Sequence, residues 1–114
     1  MESLTKHSFL QKIFDYEQNK EWKYEGELPC VIDFYADWCA PCKMLTPILK
    51  DIKSELGDRL KVVKIDVDNN NAIAGKFQIR GVPTMMLFKE GKVLWRQSGV
   101  LPKDAILNAI DGYL

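Results

Sequence analysis

Apolar residues recur at two different spacings along the chain, and each spacing predicts one type of element. Helical spacing of three to four residues follows Thr5, which can serve as an N-cap, and predicts a first helix from about Lys6 to Glu17. The segment Cys30–Ala36 is almost continuously apolar and rich in β-forming residues, which predicts a strand covered on both faces. A second helical pattern runs from Pro41 to Gly57, where glycine permits a left-handed C-cap.

The second half of the chain predicts a strand, a short helix, an antiparallel hairpin and a final helix. The strand is the apolar run Leu60–Val67, and the asparagines that follow it can cap a short helix bearing Ile73. The hairpin pairs Thr84–Phe88 with Lys92–Gln97, and Pro102 can open the last helix. This order predicts an α/β domain with parallel central strands, an antiparallel hairpin and helices on both faces of the sheet.

Composition and charge narrow the class of protein. A chain of 114 residues that is 46% hydrophobic has the size of one domain, so we expect residues 1–114 to form a single domain. Sixteen basic residues balance sixteen acidic ones, which argues against nucleic acid as a partner. No apolar run approaches the roughly 20 residues that cross a bilayer, and the N-terminus lacks a secretory signal pattern. We therefore expect a cytoplasmic protein without a membrane partner. The alternative is a periplasmic protein from which a signal peptide has been removed.

Two of the three cysteines stand in the segment WCAPC, residues 38–42, where the first predicted strand gives way to the long helix. Unpaired N–H groups and the positive end of the helix dipole favour a thiolate there, and the thiolate is the species that attacks disulfides. Cys39 is thus the predicted nucleophile. Cys42 lies about one helical turn further on, close enough to form a disulfide with Cys39 and to resolve a mixed disulfide. The pair predicts a thiol–disulfide oxidoreductase.

Two other interpretations of a C-x-x-C pair stay open on the residues alone. Half of a zinc site would need two further ligands, for which only Cys30 and His7 are available at an irregular spacing. A structural disulfide without turnover is the second alternative. We expect neither a metal nor a cofactor, and we expect Cys30, within a strand, to behave as a small buried hydrophobe without a catalytic role.

The segments VIDFYADWC, WCAPC and GVPT resemble the thioredoxin family, and they occur in the family's order and approximate spacing over nearly the whole chain. The resemblance implies the thioredoxin fold, a central mixed sheet of four to five strands flanked by helices on both faces. Residues 1–4 leave little room for the family's first strand, so four strands are one of the two expected numbers. The resemblance further implies a monomer that reduces disulfides in protein substrates through Cys39 and Cys42, with electrons from a thioredoxin reductase or an equivalent donor.

Further residues take roles through this resemblance. Asp33 interrupts a strand that should be dry on both faces, so its pKa should be raised; the family match implies that it accepts the proton of Cys42 through water. Lys64, which the resemblance places near Asp33, either tunes that acceptor or merely extends to solvent. The match also implies a cis peptide bond before Pro83. An apolar patch that docks protein substrates around Cys39 would comprise Trp38, Pro41, Val82, Pro83, Gly99 and Val100.

The chain departs from the commonest thioredoxin pattern at Ala40, which stands where the family usually has glycine. No histidine lies between the cysteines, which argues against the strongly oxidising relatives and favours a general reductant. Two functional alternatives remain. One is a dedicated periplasmic reductase or oxidant, and the other is a binding module that scaffolds another protein, with the cysteine pair incidental.

Overall fold

The computed structural model of the chain describes residues 2–5, 28–90 and 92–114. The strands are β1 (Glu2–Leu4), β2 (Cys30–Tyr35), β3 (Lys61–Asp66), β4 (Thr84–Lys89) and β5 (Lys92–Ser98). The helices are α1 (Ala40–Leu56), α2 (Asn71–Lys76) and α3 (Lys103–Ile110), with single 3-10 turns at Gly57–Arg59 and Asp111–Tyr113. No helix in these ranges is long and apolar enough to cross a membrane. The predicted helix Lys6–Glu17, including His7, lies outside the described residues; the other predicted elements are found near their predicted positions.

The strands form one mixed sheet in the order β1-β3-β2-β4-β5. Central strand β2 runs parallel to β3 and antiparallel to β4, and β4 and β5 form the predicted antiparallel hairpin. Strand β1 pairs with β3 in parallel over three residues, with Glu2 opposite Val63 and Leu4 opposite Ile65. The sheet therefore has five strands, the upper of the two expected numbers, because three residues suffice to pair along β3.

Two apolar clusters lie on opposite faces of the sheet. Alternation along β2 directs Ile32 and Phe34 into the cluster that α2 covers and Val31 into the cluster that α1 and α3 cover. In the first cluster the ring of Phe77 lies 5.8 Å from that of Phe34 and 5.4 Å from that of Phe88, measured between centroids. Strand β2 is thus buried on both faces, as its continuous apolar run predicts.

Helix α1 packs an apolar face on the sheet, with Leu45 and Leu49 fully buried. It ends at Gly57, whose φ of 56° lies in the left-handed region that glycine adopts without a steric penalty. Across this end Lys53 donates from Nζ to the carbonyl oxygens of Gly57 (2.9 Å) and Leu60 (2.8 Å). One bond reaches the C-cap of α1 and the other reaches the residue before β3, so the C-terminal end of α1 is anchored to the start of β3.

Replacing Leu49 by alanine should lower the free energy of unfolding by about 2–5 kcal/mol, because packed methyl groups are lost and a cavity remains. The exposed neighbour Lys50 offers a matched control, and Lys50→Ala should change the same quantity by less than about 0.5 kcal/mol. Urea unfolding of both oxidised variants measures the difference. Equal stability of wild type and Leu49→Ala would contradict the packing of α1 on the sheet.

Candidate active site

Cys39 and Cys42 form a disulfide at the junction of β2 and α1, with their Cα atoms 5.3 Å apart. The chain turns between strand and helix through a hydrogen bond from the N–H of Cys39 to the carbonyl oxygen of Ala36, at 3.1 Å. Each cysteine is only 2% exposed. The structure therefore pairs the two cysteines that the sequence singles out and holds them at the end of a buried strand.

Cys39 is the N-cap of α1. Its backbone is extended, and its Sγ accepts a hydrogen bond from the N–H of Cys42 at 3.2 Å. Pro41 lies in the first turn, where its missing N–H leaves no helical bond unmade, and no acidic residue occupies that turn. In the reduced protein this N–H group and the helix dipole would stabilise negative charge on the sulfur of Cys39.

The turn before β4 faces the disulfide. The Val82–Pro83 peptide bond is cis, as the resemblance implies, and the carbonyl oxygen of Val82 lies 3.7 Å from Sγ of Cys39. The carbonyl oxygen of Pro83 accepts a 2.8 Å hydrogen bond from the N–H of Gly99, whose φ is 90°. Thr84 fixes the same turn by donating from Oγ1 to the carbonyl oxygen of Gly81 at 2.7 Å. These bonds hold the segment after β5 against the proline turn.

Trp38 precedes the disulfide and leaves 72% of its surface exposed. Its indole Nε1 donates to a carboxylate oxygen of Asp68 at 2.8 Å, which orients the ring. The ring forms one wall of a groove of about 160 Å³, whose other walls include Val67, Ile79 and Val82. An apolar groove therefore opens beside the cysteine pair.

Asp33 is a carboxylate in a dry position. It is 1% exposed, and within the described residues neither carboxyl oxygen has a hydrogen-bond partner. Burial raises the pKa of Asp33 from 3.8 to about 7, and the positive charge of Lys64 opposes part of that rise. Asp33 lies between Val31 and Tyr35 on the face of β2 that α1 covers. Its carboxyl is therefore directed toward the helix that carries Cys42.

Lys64 stands directly opposite Asp33 in the register of β2 and β3. Its Nζ lies 4.9 Å from the centroid of the Tyr35 ring, a cation–π distance. A cavity of about 140 Å³ opens here, with Lys64, Cys42 and Thr46 among its lining residues. The cavity is polar and large enough for water, so a hydrated path can reach the inner cysteine.

Comparison with known proteins identifies this arrangement. The family model described as Thioredoxin matches residues 3–112. The chain belongs to the thioredoxin family. The thioredoxin of Bacillus subtilis (strain 168) is 44% identical over 82 residues, which cover 72% of this chain and 79% of that protein. Thioredoxin 1 of Chlorobaculum tepidum is 47% identical over 89 residues (75% and 88%), and the thioredoxin of Borreliella burgdorferi is 35% identical over 111 residues (97% and 95%).

Membership fixes the class of chemistry. Thioredoxins are dithiol–disulfide oxidoreductases, and the Cys39–Cys42 bond is the redox-active disulfide of this one. The mixed five-stranded sheet with helices on both faces is the thioredoxin fold. Among the described residues no group of three or more histidine, cysteine, aspartate or glutamate side chains is arranged to hold a metal ion.

The residues that the family resemblance groups into a docking patch differ in how much surface they present. Trp38 and Pro41 are exposed, and Val82 is half-buried against the disulfide. Pro83 is buried, so it contributes through the turn that it shapes. Val100 packs against the apolar cluster under α1 and α3 and presents only part of its surface.

Asp68 is the site residue that sequence reasoning missed. It follows β3 in the acidic and amide-rich stretch DVDNNN, whose asparagines predict only a helix cap. The carboxylate of Asp66 accepts from the N–H of Asp68 at 2.9 Å and from the side chain of Asn69 at 3.0 Å, which fixes the loop. Because Trp38 and Asp68 are 30 residues apart, no local pattern shows their contact.

Cys30 lies at the opposite end of β2 from the active site. It is fully buried in the cluster under α2, opposite Lys61 on one side and Phe88 on the other. Its thiol is therefore shielded by the sheet and by apolar side chains, which is the environment of an inert buried cysteine.

The free energy of unfolding should fall as the pH rises from the pKa of unfolded Asp33, 3.8, to that of folded Asp33, about 7. Folded Asp33 keeps its proton up to about pH 7, whereas unfolded Asp33 loses it near 3.8, so the folded state binds more protons between these values. In Asp33→Asn this loss disappears. Relative to wild type, the variant should gain at most roughly 3 kcal/mol between about pH 5 and about pH 8.

Urea unfolding at the two pH values measures this change, and Asp51→Asn, which alters an exposed carboxylate on α1, is the control. The control should keep the wild-type pH slope. Parallel pH profiles for wild type and Asp33→Asn would show that Asp33 ionises normally in the folded protein.

Proposed function

We propose that the chain reduces disulfide bonds in protein substrates, with Cys39 as the attacking thiolate and Cys42 as the resolving thiol. The observation that carries the division of labour is the N-cap position of Cys39. Its sulfur accepts a hydrogen bond from the N–H of Cys42 at the positive end of α1. Cys42 itself lies about one turn inside the helix. Helix-terminal stabilisation of a thiolate acts on the first sulfur and falls off along the first turn.

The reduction of a substrate disulfide takes place in two exchange steps. The thiolate of Cys39 attacks one sulfur of the substrate disulfide, forms a mixed disulfide and releases the other substrate sulfur as a thiolate. Cys42, after losing its proton, attacks Sγ of Cys39 and expels the second substrate sulfur. The substrate has gained two electrons, and the Cys39–Cys42 disulfide seen in the structure is the oxidised product.

Asp33 is the proposed acceptor of the Cys42 proton. Its carboxyl points from β2 toward α1, and its raised pKa, about 7, makes it a base that is partly available at neutral pH. The cavity beside Cys42 exceeds the volume that one water requires, and its wall includes Lys64, which stands opposite Asp33 in the sheet. Water in this cavity would carry the proton from Cys42 toward Asp33. Lys64 tunes the acceptor, because its charge favours the ionised form of Asp33 against the effect of burial.

Protein substrates would dock on the patch formed by Trp38, Pro41, Val82, Pro83, Gly99 and Val100. Exposed Trp38 supports this, since an aromatic surface held by Asp68 can bury apolar area without losing much rotamer freedom. The neighbouring groove of about 160 Å³ can accept an apolar side chain beside the substrate cysteine. The backbone of Val82, close to Cys39, can pair with an extended substrate strand.

The partners and setting follow from the same proposal. A thioredoxin reductase or an equivalent dithiol donor would return two electrons to the disulfide, because each substrate reduction leaves Cys39 and Cys42 oxidised. We place the protein in the cytoplasm as a monomer of one domain, residues 1–114. The sequence relatives that carry the name thioredoxin support the reductase partnership as a class.

The single cysteine variants should differ in what they trap. Cys42→Ser retains the attacking thiolate and lacks the resolving thiol, so mixed disulfides with protein substrates should accumulate and appear on non-reducing gels. Cys39→Ser should trap almost nothing, because Cys42 lies inside α1 and lacks the N-cap position that favours a thiolate at Cys39. Iodoacetamide should alkylate Cys39 before Cys42 in the reduced wild type, with an apparent pKa below the roughly 8.5 of a free thiol.

Cys30→Ser is the matched control for this experiment, since it removes a buried thiol outside the pair and should trap no more than wild type. Equal trapping by the Cys39→Ser and Cys42→Ser variants would overturn the assignment of roles. Full biological activity of a variant without either active-site cysteine would favour the scaffolding alternative.

Asp33→Asn should slow the resolving step by roughly 10- to 100-fold at about pH 8, where Asp33 of the wild type is ionised and can accept a proton. The difference should shrink toward pH 6, since wild-type Asp33 is then largely protonated. Single-turnover decay of the mixed disulfide, followed from about pH 6 to pH 9, reports this step. Unchanged rates across that range would remove Asp33 from the mechanism, and Asp51→Asn controls for the loss of one carboxylate.

A further inference from the structure

A cleft larger than the two cavities beside the disulfide lies away from the redox site. It has a volume of about 530 Å³ and opens between the end of α2 and the β4–β5 hairpin. None of its lining residues belongs to the disulfide site or to the two smaller cavities beside that site. The redox mechanism therefore gives this cleft no role.

A β-bulge in the hairpin creates one wall of the cleft. Leu87 pairs with Trp95 but Phe88 pairs with Val93, so Leu94 is an extra residue on β5. In a regular strand, residues 93 and 96 would point to opposite faces. The bulge instead places Val93 and Arg96 on the same face, above Met86. Bulges that re-aim side chains in this way recur beside functional sites.

The other wall is the C-terminal end of α2. The N–H of Gln78 bonds the carbonyl of Gly75 at 3.1 Å and that of Ile79 bonds the carbonyl of Ala74 at 2.9 Å, the pattern of a Schellman cap. Gln78 occupies the left-handed position of this cap, with a φ of 54°. The cap turns the chain back toward β5, so the carbonyls of residues 77 and 78 meet the side chain of Arg96.

Arg96 is held in place by these carbonyls. Its Nη1 donates to Phe77 at 2.7 Å and its Nη2 donates to Gln78 at 2.8 Å. Two of the five N–H donors of the guanidinium are thereby used, and the planar group is fixed at the cleft. A cation fixed before binding loses little rotamer entropy when an anion arrives.

Charge and polarity divide the cleft into a floor and a rim. Phe77 and Met86 are buried in the floor, and Val93 is 40% exposed beside them. The rim carries the exposed cations Lys92 and Arg96, and no acidic residue appears among the described lining residues. Two neighbouring cations beside one apolar floor favour an anionic ligand over a neutral one.

We infer that this cleft binds a small organic anion with a flat apolar body, such as an aromatic carboxylate, sulfonate or phosphate. The apolar body would lie on Phe77, Met86 and Val93, and the anionic group would face Arg96 and Lys92. The volume lies within the roughly 300–1,000 Å³ of small-molecule sites, and a mostly apolar lining with a few fixed polar groups is their usual chemistry.

A titration of the full oxidised chain with naphthalene-2-sulfonate tests the inference by ¹⁵N–¹H NMR. Saturable shifts should appear at the amides of Gln78, Val93 and Arg96, while the amides of Trp38 and Val82 stay unchanged. Naphthalene-2-methanol, a neutral analogue, should bind at least about tenfold more weakly, because charge-assisted hydrogen bonds are lost. Sodium sulfate should also bind more weakly than the sulfonate, since it has no apolar body.

Two variants distinguish anion binding at the cleft from the structural role of Arg96, which donates to the carbonyls at the end of α2. Lys92→Gln removes one rim cation at an exposed position and should weaken sulfonate binding by about threefold, the scale of one exposed charge pair. Arg96→Lys keeps the charge but loses the planar fork, and it should weaken binding further. Lys50→Gln, an exposed charge removal on α1, is the matched control and should leave affinity unchanged.

Absence of saturable binding, equal affinity for the neutral analogue, or equal affinity in Lys92→Gln and Lys50→Gln would each overturn the inference. Shifts centred on Trp38 would place the ligand at the redox site instead and would likewise refute it. None of these outcomes depends on disulfide reduction, so the result is independent of the proposed function.

Discussion

Burial of β2 on both faces and along both edges is the constraint on which the active site depends. Its backbone pairs with β3 on one side and β4 on the other, and the two apolar clusters cover its faces. The strand therefore has one permitted register, since a slip by one residue would exchange Ile32 and Phe34 with Asp33. Fixing this register also fixes where α1 starts, because only Ala36 to Trp38 separate the strand from Cys39. The cysteine pair, the Val82–Pro83 turn and Asp33 are all positioned from this one strand.

Holding Asp33 in such a strand destabilises the folded protein at neutral pH. Burial without a hydrogen bond raises the pKa of the carboxyl, whereas the charge of Lys64 lowers it, and burial is the larger effect. The opposition matters because either effect alone would make a poor proton acceptor. A carboxyl without Lys64 would hold its proton more firmly, and a solvated carboxyl near 3.8 would be too weak a base. In the proposed mechanism, the balance near 7 gives a usable base at the expense of stability, as destabilised groups at functional sites commonly do.

Local patterns predicted the parts of the fold whose causes are local. The continuous apolar run predicted β2 and also predicted that Asp33, within it, is buried. The glycine at position 57 predicted the end of α1. Features set by distant pairing were missed. Strand β1 has three residues and pairs with a strand about 60 residues away, so its own pattern carries no period. The Trp38–Asp68 bond and the bulge at Leu94 arise in the same way, from how separate elements meet. The helix expected at Lys6–Glu17 lies outside the described residues and stays a prediction.

The raised pKa of Asp33 belongs to the oxidised protein, and it should change during turnover. While Cys42 is in the disulfide it carries no ionisable thiol, so the value near 7 describes Asp33 without a charged sulfur on the α1 side of β2. In the mixed disulfide Cys42 is a thiol, and any negative charge that develops on its sulfur would raise the pKa of Asp33 further. Two such groups titrate as a pair, because a proton on one favours ionisation of the other. In the proposed mechanism, loss of the proton from Cys42 and its gain by Asp33 would therefore assist each other, and the direction of transfer is the one that the resolving step requires.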